Sequence, residues 1–160
     1  MDIYKLKFTI LQMEVFRLLC IRAGEKLNQR QAANLLAVSP TAIAKSLPLL
    51  EKEALITVEK SKTMNLTLIS LNREHPKTTC LKRAENLKLF YESGLAELLE
   101  EKHPGCTIIL FGSYAKGEDT TTSDIDLAII GSKGKPLDTR QYKAVLSDFP
   151  TKNRRVSVGG

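Results

Sequence analysis

A chain of 160 residues is long enough for one domain or two small ones, and its 42% hydrophobic content suits a packed core. No apolar run approaches the ~20 residues of a membrane span, and Met1-Asp2-Ile3-Tyr4-Lys5 lacks the charged-then-apolar layout of a signal peptide. A cytoplasmic protein without a membrane partner is therefore expected. The net charge of +6 is uneven: residues 1–75 hold 11 basic and 7 acidic side chains, residues 76–105 five of each, and residues 106–160 eight and six. The excess lies mostly in the N-terminal half, which favours a polyanionic partner there.

Ile10, Leu11, Val15, Leu18 and Leu19 recur at helical spacing, which predicts a helix over 9–22 ended by Gly24. A second helix is predicted from Asn28 or Gln29 to Leu36, with Ala32, Ala33, Leu35 and Leu36 inward and Ala37-Val38 as the turn. Ser39-Pro40, an N-cap followed by proline at the first helical position, opens a third helix running to about Glu53. Ile43, Leu47 and Leu50 form its apolar stripe. Thr41, Lys45, Pro48 and Lys52 form a separate, mostly polar one. Pro48 removes the bond to the Ala44 carbonyl and predicts a kink. Leu55–Val58 and Asn65–Ile69 are strand-like, with Lys60-Ser61-Lys62-Thr63 between them.

This order, and the stretch "SPTAIAKSLPLLEKEALI" in particular, resembles the winged helix-turn-helix superfamily over Gln31 to Ile56. Ala54 departs from it, standing where such domains often have glycine. The resemblance implies DNA binding through the third helix and the wing. It nominates Thr41, Lys45 and Lys52 on the helix, and Lys60 and Lys62 on the wing. A winged helix used only for protein contact is the alternative, and Glu51, Glu53 and Glu59 dilute the local charge.

Residues 78–102 are expected to form one long amphipathic helix with Leu81, Ala84, Leu87, Tyr91, Leu95 and Leu98 on its apolar stripe, bounded by Pro76 and Pro104-Gly105. It either opens the second domain or pairs with a second copy in a homodimer. Cys20, Cys80 and Cys106 show neither metal spacing nor a disulfide framework, so reduced, buried thiols are expected. His75 and His103 each precede a proline and are placed at element ends. Residues 106–111 are expected as a buried strand, Ser113 to Lys116 as a short helix stopped by Gly117, and Asp124–Ile130 as a second strand. Leu137 to Leu146 is a candidate helix and Arg155–Val158 a last strand.

The stretch "ILFGSYAKGEDTTTSDIDLAII" carries the chemistry. Side chains alternate along a strand, so Asp124 and Asp126 share one face while Ile125 and Leu127 enter the core. Adjacent carboxylates repel unless a cation lies between them, and Mg²⁺ takes oxygen ligands from one or two carboxylates plus phosphates. Gly112 permits close approach of a ligand to the backbone. Ser113 is expected to cap the short helix, whose N–H groups face a triphosphate, with Lys116 adding positive charge.

An apolar strand, Gly-Ser, a ten-residue spacer from Ser113 to Asp124, and Asp-x-Asp on another strand resemble the minimal nucleotidyltransferases of the polymerase-β-like superfamily, closely over 106–131. The resemblance implies Asp124 and Asp126 as catalytic metal ligands for Mg²⁺ or Mn²⁺. It further implies Gly112, Ser113, Tyr114, Lys116 and Ser123 at a nucleoside triphosphate, ATP first among candidates. Family members add a third carboxylate from a later strand. Here that strand, "RRVSVGG", has no acid, and Asp148 and Asp138 match the position poorly. The expected fold is α/β (α+β): a winged helix over 1–75, a connecting helix over 76–105 and a mixed-sheet transferase domain over 106–160. Two functions follow: transfer of a nucleoside monophosphate to an acceptor hydroxyl, with a toxin-like protein as candidate acceptor, or a DNA-binding regulator whose transferase-like domain binds nucleotide without efficient turnover.

Overall fold

The computed structural model describes residues 7–61 and 66–131 and the backbone of 156–159. The chain divides into two compact units, Met1–Thr78 and Thr79–Gly160.

In the first unit, helix starts are fixed by side chains that take up orphan N–H groups. Thr9 Oγ1 accepts from the Gln12 amide while Gln12 Oε1 accepts from the Thr9 amide, a capping box that opens α1 (Ile10–Ile21). A short strand β1 (Leu27–Asn28) leads into α2 (Gln29–Leu35), where Asn28 and Gln31 form the same reciprocal pair. Ser39 Oγ accepts from the Ala42 amide at the head of α3 (Pro40–Lys52), as its Ser-Pro start predicts. The expected kink at Pro48 does not divide this helix, which is continuous to Lys52, with Pro48 exposed. Ile43, Leu47 and Leu50 are buried against Val15, Leu19, Ala32 and Ile69. Each such burial stabilises by roughly 1.5–3 kcal/mol.

After α3 the chain reverses at Ala54, which takes a left-handed φ of 58° while the Leu55 amide returns to the Leu50 carbonyl at 3.0 Å. Glycine is the residue suited to this conformation, which accounts for its frequency at this position in winged helices. Strands β2 (Ile56–Lys60) and β3 (Thr67–Leu71) pair antiparallel, from Ile56↔Leu71 to Lys60↔Thr67. The two-residue β1 joins β3, giving the order β1-β3-β2. Three helices and this antiparallel sheet make a winged helix. A strand of two residues has no periodicity to detect, and β1 is not foreseeable from the sequence.

The second unit holds α4 (Pro76–Glu92, with its first residues in the first unit), α5 (Leu95–Lys102), β4 (Thr107–Phe111), α6 (Gly112–Lys116), β5 (Ile125–Ile130) and β6 (Val156–Gly159). β4 and β5 are antiparallel and β5 and β6 parallel, a mixed sheet as expected. Ile125, Leu127 and Ile129 pack with Phe90, Leu95, Leu99 and Tyr114. The candidate helix at 137–146 lies outside the described residues.

Four expectations are corrected here. The single helix over 78–102 is two helices, because Gly94 takes a left-handed φ of 76° and Ser93 Oγ donates to the Phe90 carbonyl and accepts from the Leu95 amide. The stripe expected to face inward on its first half is exposed at Leu81, Leu87 and Tyr91, and the buried face instead carries Thr78, Lys82, Asn86, Leu89 and Phe90. The strand over 106–111 is at one end of the sheet order, with Ile109 and Phe111 exposed. Of the thiols, Cys20 is buried, Cys106 half-buried and Cys80 exposed, and none of the three is in a disulfide.

Candidate nucleotide site and its frame

β4 ends at Phe111, and Gly112 turns the chain into α6 with a φ of 73°. The register sets Phe111 opposite Asp126. A Cβ at residue 112 would overlap Asp126 Oδ2 and lie 3.0 Å from its Cγ. Glycine is thus required twice, by its torsion angle and by the carboxylate beside it. The Gly-Ser turn and the Asp-x-Asp strand, ten residues apart in sequence, meet at this point.

β5 alternates as predicted: Ile125, Leu127 and Ile129 are buried, and Asp126, on the opposite face, is half-buried. Asp124 directly precedes the strand and is exposed. The residue aligned with Asp126 on β6 is Ser157. Among the described residues no group of three or more His, Cys, Asp or Glu side chains is arranged to hold a metal. Asp124 and Asp126 offer a two-carboxylate oxygen set of the kind that binds Mg²⁺ together with substrate phosphates.

The other nominated residues separate. Gly112 and Ser113 are half-buried and Lys116 is exposed at the end of α6. Ser113 does not cap α6: the N-cap is Phe111, without a side-chain bond, and Ser113 lies in the first turn. Tyr114 is not placed for nucleotide contact through its side chain, which is 1% exposed and donates its hydroxyl to the Asn86 carbonyl at 2.9 Å. An aromatic ring one residue past the turn is carried by helical rotation into the core. Ser123 Oγ accepts from the Thr120 amide at 2.9 Å and so closes a small turn just before Asp124.

Behind the turn lies a cluster that sequence reasoning missed. Lys82 and Asn86, one turn apart on α4, both donate to Asp119 Oδ1, Asn86 at 2.6 Å. Asn86 Nδ2 also donates to the Tyr114 carbonyl at 2.8 Å. Asp119, Lys82 and Asn86 are each no more than 1% exposed. The signal was the polar run Thr78, Lys82, Asn86 at i, i+4, i+8, outweighed by the apolar residues on the neighbouring face.

In the first unit Thr41, Lys45, Pro48 and Lys52 are all exposed on α3, and Lys60 is exposed at the end of β2. Lys62 lies outside the described residues. Neighbouring Glu59 pairs with Lys26 at 2.7 Å. Glu53 pairs with Lys7 at 2.7 Å and Lys77 at 2.6 Å, and hydrogen bonds from these two lysines lower its pKa from 4.5 to about 2.

A family model described as "Nucleotidyltransferase domain" matches residues 92–156, from the end of α4 to the start of β6. The match falls on the part of the chain that follows the winged helix. Among solved structures it is similar to the adhesin competence repressor AdcR of Streptococcus pyogenes, at 18% identity over 60% of this chain and 68% of that one, with a TM-score of 0.47. It is similar to ZitR of Lactococcus lactis, a zinc-responsive MarR family member, at 20% identity over 66% and 69%, with a TM-score of 0.46. Similarity to MepR of S. aureus in complex with DNA is 20% over 59% and 74%, with a TM-score of 0.44. No curated protein matches the chain. Among the described residues no single helix is long and apolar enough to cross a membrane.

Proposed function

We propose that the second unit transfers a nucleoside monophosphate from a nucleoside triphosphate, ATP first among candidates, to an acceptor hydroxyl. The close approach at Gly112 supports this most directly, because it brings the Gly-Ser turn against the carboxylate of Asp126. The backbone of Gly112 and Ser113 and the charge of Lys116 bind the phosphates, and Ser123 steadies the loop before Asp124. Asp124 and Asp126 would hold Mg²⁺ or Mn²⁺, which when bound neutralises and aligns the phosphates. The acceptor oxygen bonds to the α-phosphorus, the bond to the bridging oxygen breaks, and pyrophosphate leaves while the hydroxyl proton passes to water. A hydroxyl on a toxin-like partner protein is the acceptor suggested by the family resemblance.

Mg²⁺ and ATP together should raise Tm, since a ligand that binds only the folded state stabilises it. Asp124→Asn with Asp126→Asn should remove the metal-dependent part of that shift. Persistence of the full shift in this double variant rules out the two carboxylates as ligands. Incubation with α-phosphate-labelled ATP and candidate acceptors should then place label on one of them.

One observation favours a second reading. Ser157, rather than an acid, is aligned with Asp126 on the parallel strand. Among the described residues no acid stands at that register position, and a general base typically contributes ~10²–10⁴-fold, so transfer that proceeds without one is slow while nucleotide binding persists. In that reading the chain is a DNA-binding regulator or antitoxin that senses nucleotide. The exposed Thr41, Lys45 and Lys52 on α3, with Lys60, form the proposed DNA face, which Lys62 extends by sequence position. Binding of labelled ATP with no transfer to any acceptor supports this second reading over the first.

A further inference from the structure

We infer that Lys82, Asn86 and Asp119 are positioning residues that anchor the loop between the Gly-Ser turn and Asp124, an inference that rests on reading 112–126 as the nucleotide site. The loop leaves α6 at Gly117, whose φ of 75° and close packing leave no room for a side chain: a Cβ there would overlap the Thr79 carbonyl and lie 2.8 Å from the Arg83 amide nitrogen. Two residues on, Asp119 is fully buried and takes bonds from Lys82 and Asn86 through a single oxygen. The loop then closes on itself through the Thr120–Ser123 bonds and delivers Asp124. Asn86 in addition holds the carbonyl of Tyr114 inside α6. One helical face of α4 therefore grips both the turn that would hold phosphate and the loop that carries the first metal carboxylate.

Stability alone is a poor explanation for this arrangement. Burying a lysine and a carboxylate carries a desolvation cost that their attraction only partly offsets, and apolar replacements of such pairs are often neutral or stabilising. The pair supplies direction: two donors on a rigid helix converge on one acceptor oxygen and fix the loop in one place. Preorganised groups of this kind bind a charged ligand without having to reorganise first.

Two variants separate the charge from the anchor. Asp119→Asn keeps an oxygen able to accept both N–H groups but removes the negative charge that Asp119 sets beside Lys82. Its Tm should fall while the Kd for Mg²⁺·ATP changes by less than about threefold. Lys82→Met with Asp119→Leu removes the charge and the directional bonds together. Its Tm should stay near or above that of the unaltered chain, yet the Kd should rise tenfold or more. Amide exchange provides a readout independent of nucleotide. The Glu118 and Ser123 amides, bonded to the Ser113 and Thr120 carbonyls, should exchange at least tenfold faster in the double variant, with α5 unchanged. Unaltered exchange at these amides in a folded double variant overturns the anchoring. An affinity that tracks Tm across both variants assigns the cluster a purely structural role and also overturns it. If the unaltered chain fails to bind Mg²⁺·ATP, the nucleotide reading falls, while the exchange measurement still decides whether the cluster fixes the loop. Should Asp119→Asn fail to fold, the double variant decides both points.

Discussion

At the scale of single residues, three positions carry constraints that a sequence states only in part. Gly112 is legible as a turn residue, but the reason nothing else fits is the Asp126 carboxylate beside it. Gly112→Ala should therefore abolish Mg²⁺·ATP binding by calorimetry, both by strain at a positive φ and by displacing Asp126, and Tm should fall by a few degrees. Normal binding by this variant would dissociate the turn from the carboxylates. Ala54 makes the opposite case, a side chain where glycine fits better, with φ at 58°. The left-handed conformation costs ~1–2 kcal/mol, and glycine gives back part of that gain through a more flexible unfolded chain. Ala54→Gly should stabilise the first unit by about 0.5–1 kcal/mol in urea unfolding. Glu53 has its pKa lowered to about 2 by Lys7 and Lys77. A depressed carboxylate contributes stability that is fully present above its unfolded pKa and is lost as pH falls through the folded one. Acid titration should thus show the advantage over Glu53→Gln to be constant above pH 4.5 and to shrink toward about 2, with added salt reducing it throughout. Equal acid sensitivity of the two proteins would refute this ion cluster.

At the scale of elements, what local chemistry decides was legible and what tertiary packing decides was not. Helix starts at Ser39-Pro40, the β5 alternation and the end of α6 at Gly117 follow from capping, pleat and torsion preference, all properties of a few adjacent residues. The inward face of α4 follows from Asp119, 37 residues beyond Lys82. Apolar periodicity pointed at Leu81, Leu87 and Tyr91, and a buried counter-charge elsewhere in the chain overrode it. The break at Ser93-Gly94 was missed because the apolar pattern runs through it while the backbone does not. The candidate site was legible in its carboxylates and its turn. Tyr114, nominated by the family resemblance, is a core residue because one step along a helix rotates a side chain by about 100°. The exposed stripe of α3 also emerged from periodicity alone, and it invites a direct test. Lys45→Ala with Lys60→Ala should weaken DNA binding and flatten its salt dependence, the slope falling by ~0.9 for each phosphate that is no longer neutralised. Unchanged affinity at two salt concentrations would transfer this face to protein recognition.

At the scale of the whole molecule, the two units come from different structural vocabularies, an antiparallel wing on a helical core and a mixed sheet backed by helices. Each has its own buried cluster. Their division falls between Thr78 and Thr79, inside the first turns of α4. Thr78 is fully buried and donates its hydroxyl to the Ala54 carbonyl at 3.1 Å, at the left-handed turn after α3. The carbonyl of Thr79 lies against Gly117 at the root of the nucleotide loop. Adjacent residues on one helix thus belong to different units. Recombination that exchanged either half for another would have no clean seam to use: a cut before Pro76 strips the wing's half of Thr78, and a cut after Thr78 leaves α4 without its first turn. α4 is thus a piece that a shuffled descendant would have to inherit together with the segments on either side of it.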